Sequence, residues 1–344
     1  MTLQAALERL VEAEFAHRDV HELALGVMEE GRLTHACRGH WQGRPVDAQT
    51  PFLIASTSKL FITTMLFQLA DEGRLGLDDA LERFFPGELE GLHVWEGQDL
   101  TRQLTLRHLL SHSSGLPDYF EGKRRDGSTL AGELLAGQDR AYGLSEVLHW
   151  ARDEMRPAFA PGARAFYSDT NFYLLSEVVA RAGGEDLDAA LARRICAPLG
   201  LEQTAFFRPG MAALPLRNGA QVVEIPLALA SMPGDGGAVS NLADLAAFTR
   251  AFFDGRLFSK AFLEQLPPWR RVFFPLRAGL GVLRFGVPRW LPPFRRDLEF
   301  IGHSGISGTV AFCYPARGRI IVGTVNQLQG RSRPYRLMMK AAMA

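Results

Sequence analysis

Strand-like segments occur only near the two ends of this chain, and the residues between them, from about 60 to 245, are mainly helical in pattern. A compact fold must therefore bring the two ends together. Near the N-terminus, Leu23 to Met28 and Leu33 to Cys37 flank Glu29-Glu30-Gly31-Arg32, which has turn character and predicts a β-hairpin. Near the C-terminus, Ala278 to Phe285, Val310 to Tyr314 and Arg319 to Val325 are short apolar runs bounded by Gly and Pro. The turn Pro315-Ala316-Arg317-Gly318 joins the last two as a second hairpin. The simplest arrangement pairs both ends in one antiparallel sheet, with a helical lobe beside it, an α+β fold. The expected mixed lobe takes residues 1–60 with 246–344, and the helical lobe takes residues 61–245.

The helical segments have readable limits. Leu3, Ala6, Leu10, Val11 and Phe15 form an N-terminal stripe, and Ile62, Met65, Leu66 and Leu69 form another on a helix ending at Gly73. Further helices are predicted over 104–111, 144–153, 170–182, 241–253 and 334–342. One more spans 187–197 and stops before Pro198. Residues 113–140 read as loop with one short helix.

Composition excludes several functional classes. Lys+Arg and Asp+Glu are equal at 38 each, so nothing draws the chain toward nucleic acid or an anionic membrane. No apolar stretch has transmembrane length, and Glu8, Arg9, Glu12 and Glu14 interrupt the N-terminal segment, so a cytoplasmic location is expected. Cys37, Cys196 and Cys313 are odd in number, match no metal spacing, and read as small buried hydrophobes. Only Lys59, Lys123, Lys260 and Lys340 are lysines, so a Lys at a motif position carries weight.

Three short motifs could carry chemistry. In Ser56-Thr57-Ser58-Lys59, a Ser opening a helix shares one face with the Lys three residues on. A serine hydroxyl is a weak nucleophile that needs a base within reach, and a partly desolvated lysine loses its proton more readily. Amides at a helix start also favour an oxyanion. The plainer alternative is a capping serine and a solvated lysine. In Tyr167-Ser168-Asp169, the phenol could hand protons to and from Ser56, or Tyr167 could be a core aromatic and Asp169 a helix cap. In His303-Ser304-Gly305, a Gly before a strand lets backbone approach a ligand, or the segment is a simple turn. His108 and His112 are spaced for a metal pair, but no third ligand and no H-E-x-x-H pattern accompany them, so no metal and no cofactor are expected. Gly234-Asp235-Gly236-Gly237 lacks the ending of a phosphate loop and reads as a tight turn near the cleft.

The order of these motifs resembles the serine β-lactamase-like and penicillin-binding-protein-like family, whose best-known members carry S-x-x-K, S-D-N and K-T-G. LTLRHLLSHSSGLPDY (104–119), YSDTNFYLLSEVV, ICAPLGLEQTAF, GGAVSNLADLAAF and GHSGISG strengthen the resemblance, which runs from about residue 20 to 327. With Tyr in the second motif, the chain is similar to the class C β-lactamases, DD-carboxypeptidases, D-aminopeptidases and esterases of the family. The resemblance implies a β-lactamase/transpeptidase-like fold with the site in the cleft between the lobes. It also implies roles. Ser56 attacks the acyl carbon, Lys59 and Tyr167 pass protons, the amides of Ser56 and Ile306 form the oxyanion hole, and His303 replaces the third-motif Lys in orienting substrate. Ser304, Gly305 and Asp169 complete the substrate-binding set.

Asp169 stands where β-lactamases and transpeptidases usually carry Asn. An ionised Asp only accepts hydrogen bonds, whereas an Asn amide also donates. With the apolar stretch Pro267 to Phe294, which includes Trp269, Phe273, Phe274, Phe285 and Trp290, this favours an esterase acting on short or hydrophobic acyl esters, a small-molecule substrate. The alternatives are a β-lactamase or D-amino-acid peptidase or amidase, an acyltransferase using the same residues, and a non-catalytic binding module.

Overall fold

The computed structural model describes residues 1–288 and 298–344. Strands from both ends of the chain form one antiparallel sheet. Its order is Arg270–Phe273, Leu276–Ala278, Leu283–Val287, Leu298–Gly305, Thr309–Tyr314, Arg319–Thr324, Glu22–Glu29, Arg32–Trp41 and Arg44–Pro45. The two ends meet where Glu22–Glu29 pairs with Arg319–Thr324, in the register Ala24 opposite Thr324 and Met28 opposite Ile320. The expected antiparallel sheet is therefore present. The hairpin turn is Glu30-Gly31, both with positive φ (50° and 79°), the mirror-image geometry that matches strand twist.

The central strands are buried on both faces, and alternate side chains serve different layers. Leu23, Leu25, Val27 and Ile321 pack with Leu7 and Val11 of the helix Leu3–Phe15 and with Leu337 and Met338 of the helix Arg333–Met343. Ala24, Met28, Ile320 and Val322 join the opposite core with Phe61, Leu242 and Phe248, so the helices Lys59–Asp71 and Leu242–Phe253 cover that face. Asn241 caps Leu242–Phe253 by accepting from the Asp244 amide at 2.7 Å. Across Lys59–Asp71 lies the helix Asp169–Gly183, ended by Gly184 at φ 65°.

Two expectations are corrected. The helix starting at Leu187 does not stop before Pro198: after a wide π-type turn over Ala192–Cys196 it continues through Ala197–Leu199 to Gly200. The wide turn shifts the hydrogen bonding, so the proline's missing N–H is tolerated. Ala278 to Phe285 is not one strand but two, Leu276–Ala278 and Leu283–Val287, with a turn at Gly279–Val282. There Gly281 (φ 73°) faces Thr63, whose Oγ1 donates to Gly281 O at 3.0 Å. A β-carbon on Gly281 would stand 2.2 Å from the Thr63 methyl. That contact docks the sheet onto the helix carrying Lys59.

No helix among the described residues is long and apolar enough to cross a membrane. Cys37, Cys196 and Cys313 are all free, with Cys196 buried and the others half-buried.

A closer contact joins the third motif to the first. A β-carbon on Gly305 would lie 2.3 Å from Ile54 O and 2.9 Å from the Ala55 β-carbon. Gly286, in a neighbouring strand, has open space at the same position. Gly305→Ala is therefore expected to cost about 1–3 kcal/mol, as overpacking does, and to lower Tm, whereas Gly286→Ala leaves Tm unchanged or raises it slightly. Equal melting temperatures for the two variants would show that the strand can move away from the Ile54–Ala55 turn.

Candidate active site

Ser56 lies in the tight turn Ala55–Ser58, which feeds directly into the helix Lys59–Asp71. Ala55 adopts a left-handed conformation (φ 46°), costly for a residue with a β-carbon. The surroundings hold it there. Ser58 Oγ donates to Ala55 O at 2.6 Å and accepts from the Ala238 amide at 3.2 Å, while the Ile54 amide donates to Ala238 O at 3.0 Å. Ser307 Oγ donates to Leu53 O at 2.8 Å, tying the loop after the third motif to the same turn. Ser58 is thus structural, and Ser56, the first serine of the motif, opens into a cavity of about 380 Å³.

Lys59 has no exposed surface. Its ammonium pairs with Asp169 Oδ1 at 2.6 Å, donates to the Asp235 carbonyl, and lies 5.2 Å from the centre of the Tyr167 ring. Burial works against this charge, but Asp169, Tyr167 and Asp235 outweigh it and hold the lysine above its ordinary value. Tyr167 lines the cavity beside Ser56, with its ring against the buried lysine. Burial raises the phenol above its ordinary value even though Lys59 opposes the rise. Ser56, Tyr167 and Lys59 are thus brought together, the first two on the cavity and the lysine buried behind them.

Asp169 is the first residue of its helix, and its carboxylate serves Lys59; the cap position belongs to Ser168. The second motif is clipped to Pro117–Tyr119. Ser168 Oγ and Thr170 Oγ1 both donate to Pro117 O, at 2.9 and 2.6 Å, and the Asp169 amide donates to Asp118 Oδ1 at 2.9 Å. His112 stacks on Tyr167 with ring centres 4.4 Å apart. The Ser168 amide donates to His112 Nδ1 at 3.2 Å, so that nitrogen is unprotonated. Burial, Lys59 and His303 all keep His112 neutral. His108 instead closes a helix cap with Thr105, and among the described residues no cluster of His, Cys, Asp or Glu could hold a metal ion.

Ser304, Gly305 and Ile306 line the cavity with Ser56, Tyr167 and Asp169. His303 does not. It is buried behind Tyr167, with ring centres 6.2 Å apart, and its Nδ1 donates to Ser304 O at 2.9 Å. Burial first, and Lys59 second, push it down to about 3, so it is a neutral ring supporting the tyrosine.

Of the aromatic stretch, Phe273 lines the cavity; Phe285 is buried against Tyr335, and Trp269 packs on the main core. Trp290 and residues 289–294 lie outside the described residues. The apolar wall comes chiefly from elsewhere: Leu134, Leu216, Val223, Ile225, Leu229 and Met232. Helical and loop pattern gave no sign that these would converge on Ser56.

Two further carboxyls were not singled out from the sequence. Asp118 accepts from the amides of Asp169, Phe120 and Glu121. Asp235 accepts from Tyr119 Oη at 2.6 Å, and its other oxygen has no partner among the described residues. Gly234-Asp235-Gly236-Gly237 is indeed a turn at the cavity, packed so tightly that a β-carbon on Gly234 would stand 1.9 Å from Ser176 Oγ. Asp235 is raised to about 7, by burial first and then by Asp169, against the pull of Lys59. A carboxyl of the unfolded chain titrates near about 4. The folded state therefore holds this proton more tightly, and the group's contribution to stability is lost as pH rises from about 4 to about 7. Asp235→Asn mimics the protonated form, beside Lys59, Asp169, Tyr119, Tyr142 and Tyr173. Its Tm relative to the parent is expected to improve as pH is raised from about 5 to about 8. A pH-independent Tm difference would mean that Asp235 is ionised throughout.

The beta-lactamase family model matches residues 7–342. The monacolin J acid methylbutanoyltransferase of Aspergillus terreus is 33% identical over 182 residues, covering 49% of this chain and 42% of the transferase. This chain thus spans under half the length of that relative. A putative D-alanyl-D-alanine carboxypeptidase of Escherichia coli K12 is 26% identical over 322 residues, covering 83% of this chain and 71% of that protein. Among solved structures, the D-amino acid amidase of Ochrobactrum anthropi SV3 superposes with a TM-score of 0.79 at 23% identity, covering 99% and 98% of the two chains. With the turn of Ser56, the buried Lys59 and the Tyr167 phenol arranged as described, this chain belongs to the beta-lactamase family.

Proposed function

We propose that the chain is a serine hydrolase that forms an acyl-enzyme on Ser56 and prefers esters with hydrophobic acyl groups. The observation that carries this reading is the apolar cavity onto which Ser56 and Tyr167 open. Its volume of about 380 Å³ suits a small acyl ester. Ser56 Oγ attacks the ester carbonyl, and its proton passes to the Tyr167–Lys59 pair. The carbonyl oxygen, now an oxyanion, is held by the Ser56 and Ile306 amides. When the tetrahedral intermediate collapses, the same pair returns the proton to the departing alkoxide. Water then repeats the cycle in the opposite sense and releases the acid.

Asp169 adds to the preference for esters. It offers substrate an acceptor and no donor, and it is already committed to Lys59. An ester also asks less of the proton path than an amide, because an alkoxide leaves more readily than an unprotonated amine. Acyl transfer is the second reading. An apolar cavity that excludes water lets an acyl-enzyme wait for an alcohol, and the A. terreus relative is named as a methylbutanoyltransferase.

An activated fluorophosphonate should add once, on the peptide containing Ser56, and Ser56→Ala should lose both the adduct and all turnover above background. For p-nitrophenyl butyrate, kcat/KM should exceed that for a chromogenic cephalosporin by at least about a hundredfold, a difference of about 2.7 kcal/mol in transition-state binding. Equal turnover of the cephalosporin would make the chain a β-lactamase, and turnover of D-amino-acid amides alone would make it an amidase. Added alcohol that diverts most of the acyl group from water would favour the transferase reading.

Asp169→Asn provides a separate check on the proton path. Removing the carboxylate removes the largest of the influences that raise Lys59, so the lysine gives up its proton at lower pH. The acid limb of the kcat/KM profile should therefore move to lower pH. A limb that stays in place would remove Lys59 from the proton path.

A further inference from the structure

Whole-chain neutrality conceals a local surplus of positive charge. Between Pro267 and Pro288 there are four arginines and no aspartate or glutamate. Two of the four are engaged: Arg270 Nη1 donates to Gly162 O, and Arg284 pairs with Glu299. The other two, Arg271 and Arg277, stand directly opposite each other in the hairpin of Arg270–Phe273 and Leu276–Ala278, at one edge of the large sheet. Both are exposed, and neither has a carboxylate partner among the described residues. Like charges directly opposite on paired strands destabilise the pair. An anionic surface laid against the hairpin removes that cost.

The tip of the same hairpin is apolar. Phe273 and Phe274 are 52% and 65% exposed. One exposed hydrophobic side chain is ordinary, but contiguous ones mark a contact surface. The bond from Arg270 to Gly162 fastens the hairpin to the loop before the second motif, where Arg164 and Phe166 are also exposed. Phe273 meets the Tyr167 ring edge-on, with centres 6.4 Å apart, and lines the cavity, as does the exposed Leu135. The exposed aromatics are therefore continuous with the cavity wall. Aromatic rings beside arginines suit the boundary of a bilayer, where rings enter the acyl edge and guanidinium groups meet anionic headgroups. A second copy fits the patch less well, because a two-fold contact would set the arginines of both copies against each other.

We propose that this hairpin docks the protein on an anionic phospholipid bilayer, with Phe273 and Phe274 in the interface and Arg271 and Arg277 on the headgroups, so that the cavity opens onto the membrane. The substrate is then a hydrophobic ester drawn from the bilayer. The docking stands on the hairpin alone, and only the identity of the substrate rests on the ester-hydrolase reading above.

Co-sedimentation of the full chain with vesicles tests the docking without turnover. Binding to phosphatidylcholine vesicles containing phosphatidylglycerol should exceed binding to pure phosphatidylcholine by at least about tenfold, and should weaken as salt is raised. Arg271→Glu/Arg277→Glu and Phe274→Ser should each lower binding to the anionic vesicles by at least about tenfold. None of these three residues lines the cavity, so Tm and kcat/KM for dissolved p-nitrophenyl butyrate should match the parent. Turnover of p-nitrophenyl laurate carried in the anionic vesicles should fall with the binding. No vesicle binding at low salt, or binding that both variants leave unchanged, overturns the proposal. A concentration-dependent dimer that Phe274→Ser abolishes, without vesicle binding, gives the patch to a second copy and also overturns it. Vesicle binding that the variants lose, in a chain that turns over neither ester, upholds the docking and overturns the ester reading instead.

Discussion

A lysine ammonium without any exposed surface organises this molecule. Taking such a charge out of water costs several kcal/mol unless it is fully partnered. The partners of Lys59 come from two separate stretches of chain, the Asp169 carboxylate and the Asp235 carbonyl. Helix Lys59–Asp71, helix Asp169–Gly183 and the turn at Gly234–Gly237 must therefore converge on one point. The Tyr167 ring, two residues before Asp169, is drawn over the ammonium by the same convergence, and it lines the cavity with Ser56. The ion pair is not a device for stability, since a well-packed apolar replacement is often as stable. Its effect here is to fix where Lys59 and Tyr167 sit behind and beside Ser56.

Around that pair, carboxyls outnumber cations. Asp118, Asp169 and Asp235 are all buried, with Lys59 the single buried ammonium among them. They cannot all ionise at ordinary cost, and burial raises each of them. Tyr119, donating to Asp235 and touching Tyr142, extends this network behind the cavity. The cavity is thus backed by Asp118 and Asp235, each raised to about 7. The histidines at its edge, His112 and His303, are kept neutral by the same burial and by the same lysine.

Small residues decide how closely the parts approach. Gly305 lets the third-motif strand touch the Ile54–Ala55 turn, Gly281 lets the sheet touch Thr63, and Gly234 fits between Ser176 and Ile62. The first two position the two halves of the cavity, one bearing Ser56 and the other Ser304 to Ile306.

Much of this was legible in one dimension because it depends on local periodicity and on short spacing. Short apolar runs bounded by turn residues at both ends announced strands, and the spacing of Ser56 and Lys59 put the two on one helical turn. Local pattern failed where the contacts are long-range or the helix is irregular: the turn at Gly279–Val282 packs its Gly281 against Thr63, and the helix runs past Pro198 after a wide turn. Asp169 could be read as a departure, but its pairing with Lys59 and its sharing of a buried site with Asp118 and Asp235 could not. The sequence by itself determined the element types, the pairing of the chain ends and the order of the three motifs, since these follow from side-chain period and turn chemistry. Only the tertiary structure decided the buried carboxyl network around Lys59, the apolar floor built by residues 134–232, the place of His303 behind the tyrosine, and the Arg331–Glu121 pair. Each of these depends on contacts between residues tens to hundreds of positions apart, which no local pattern encodes.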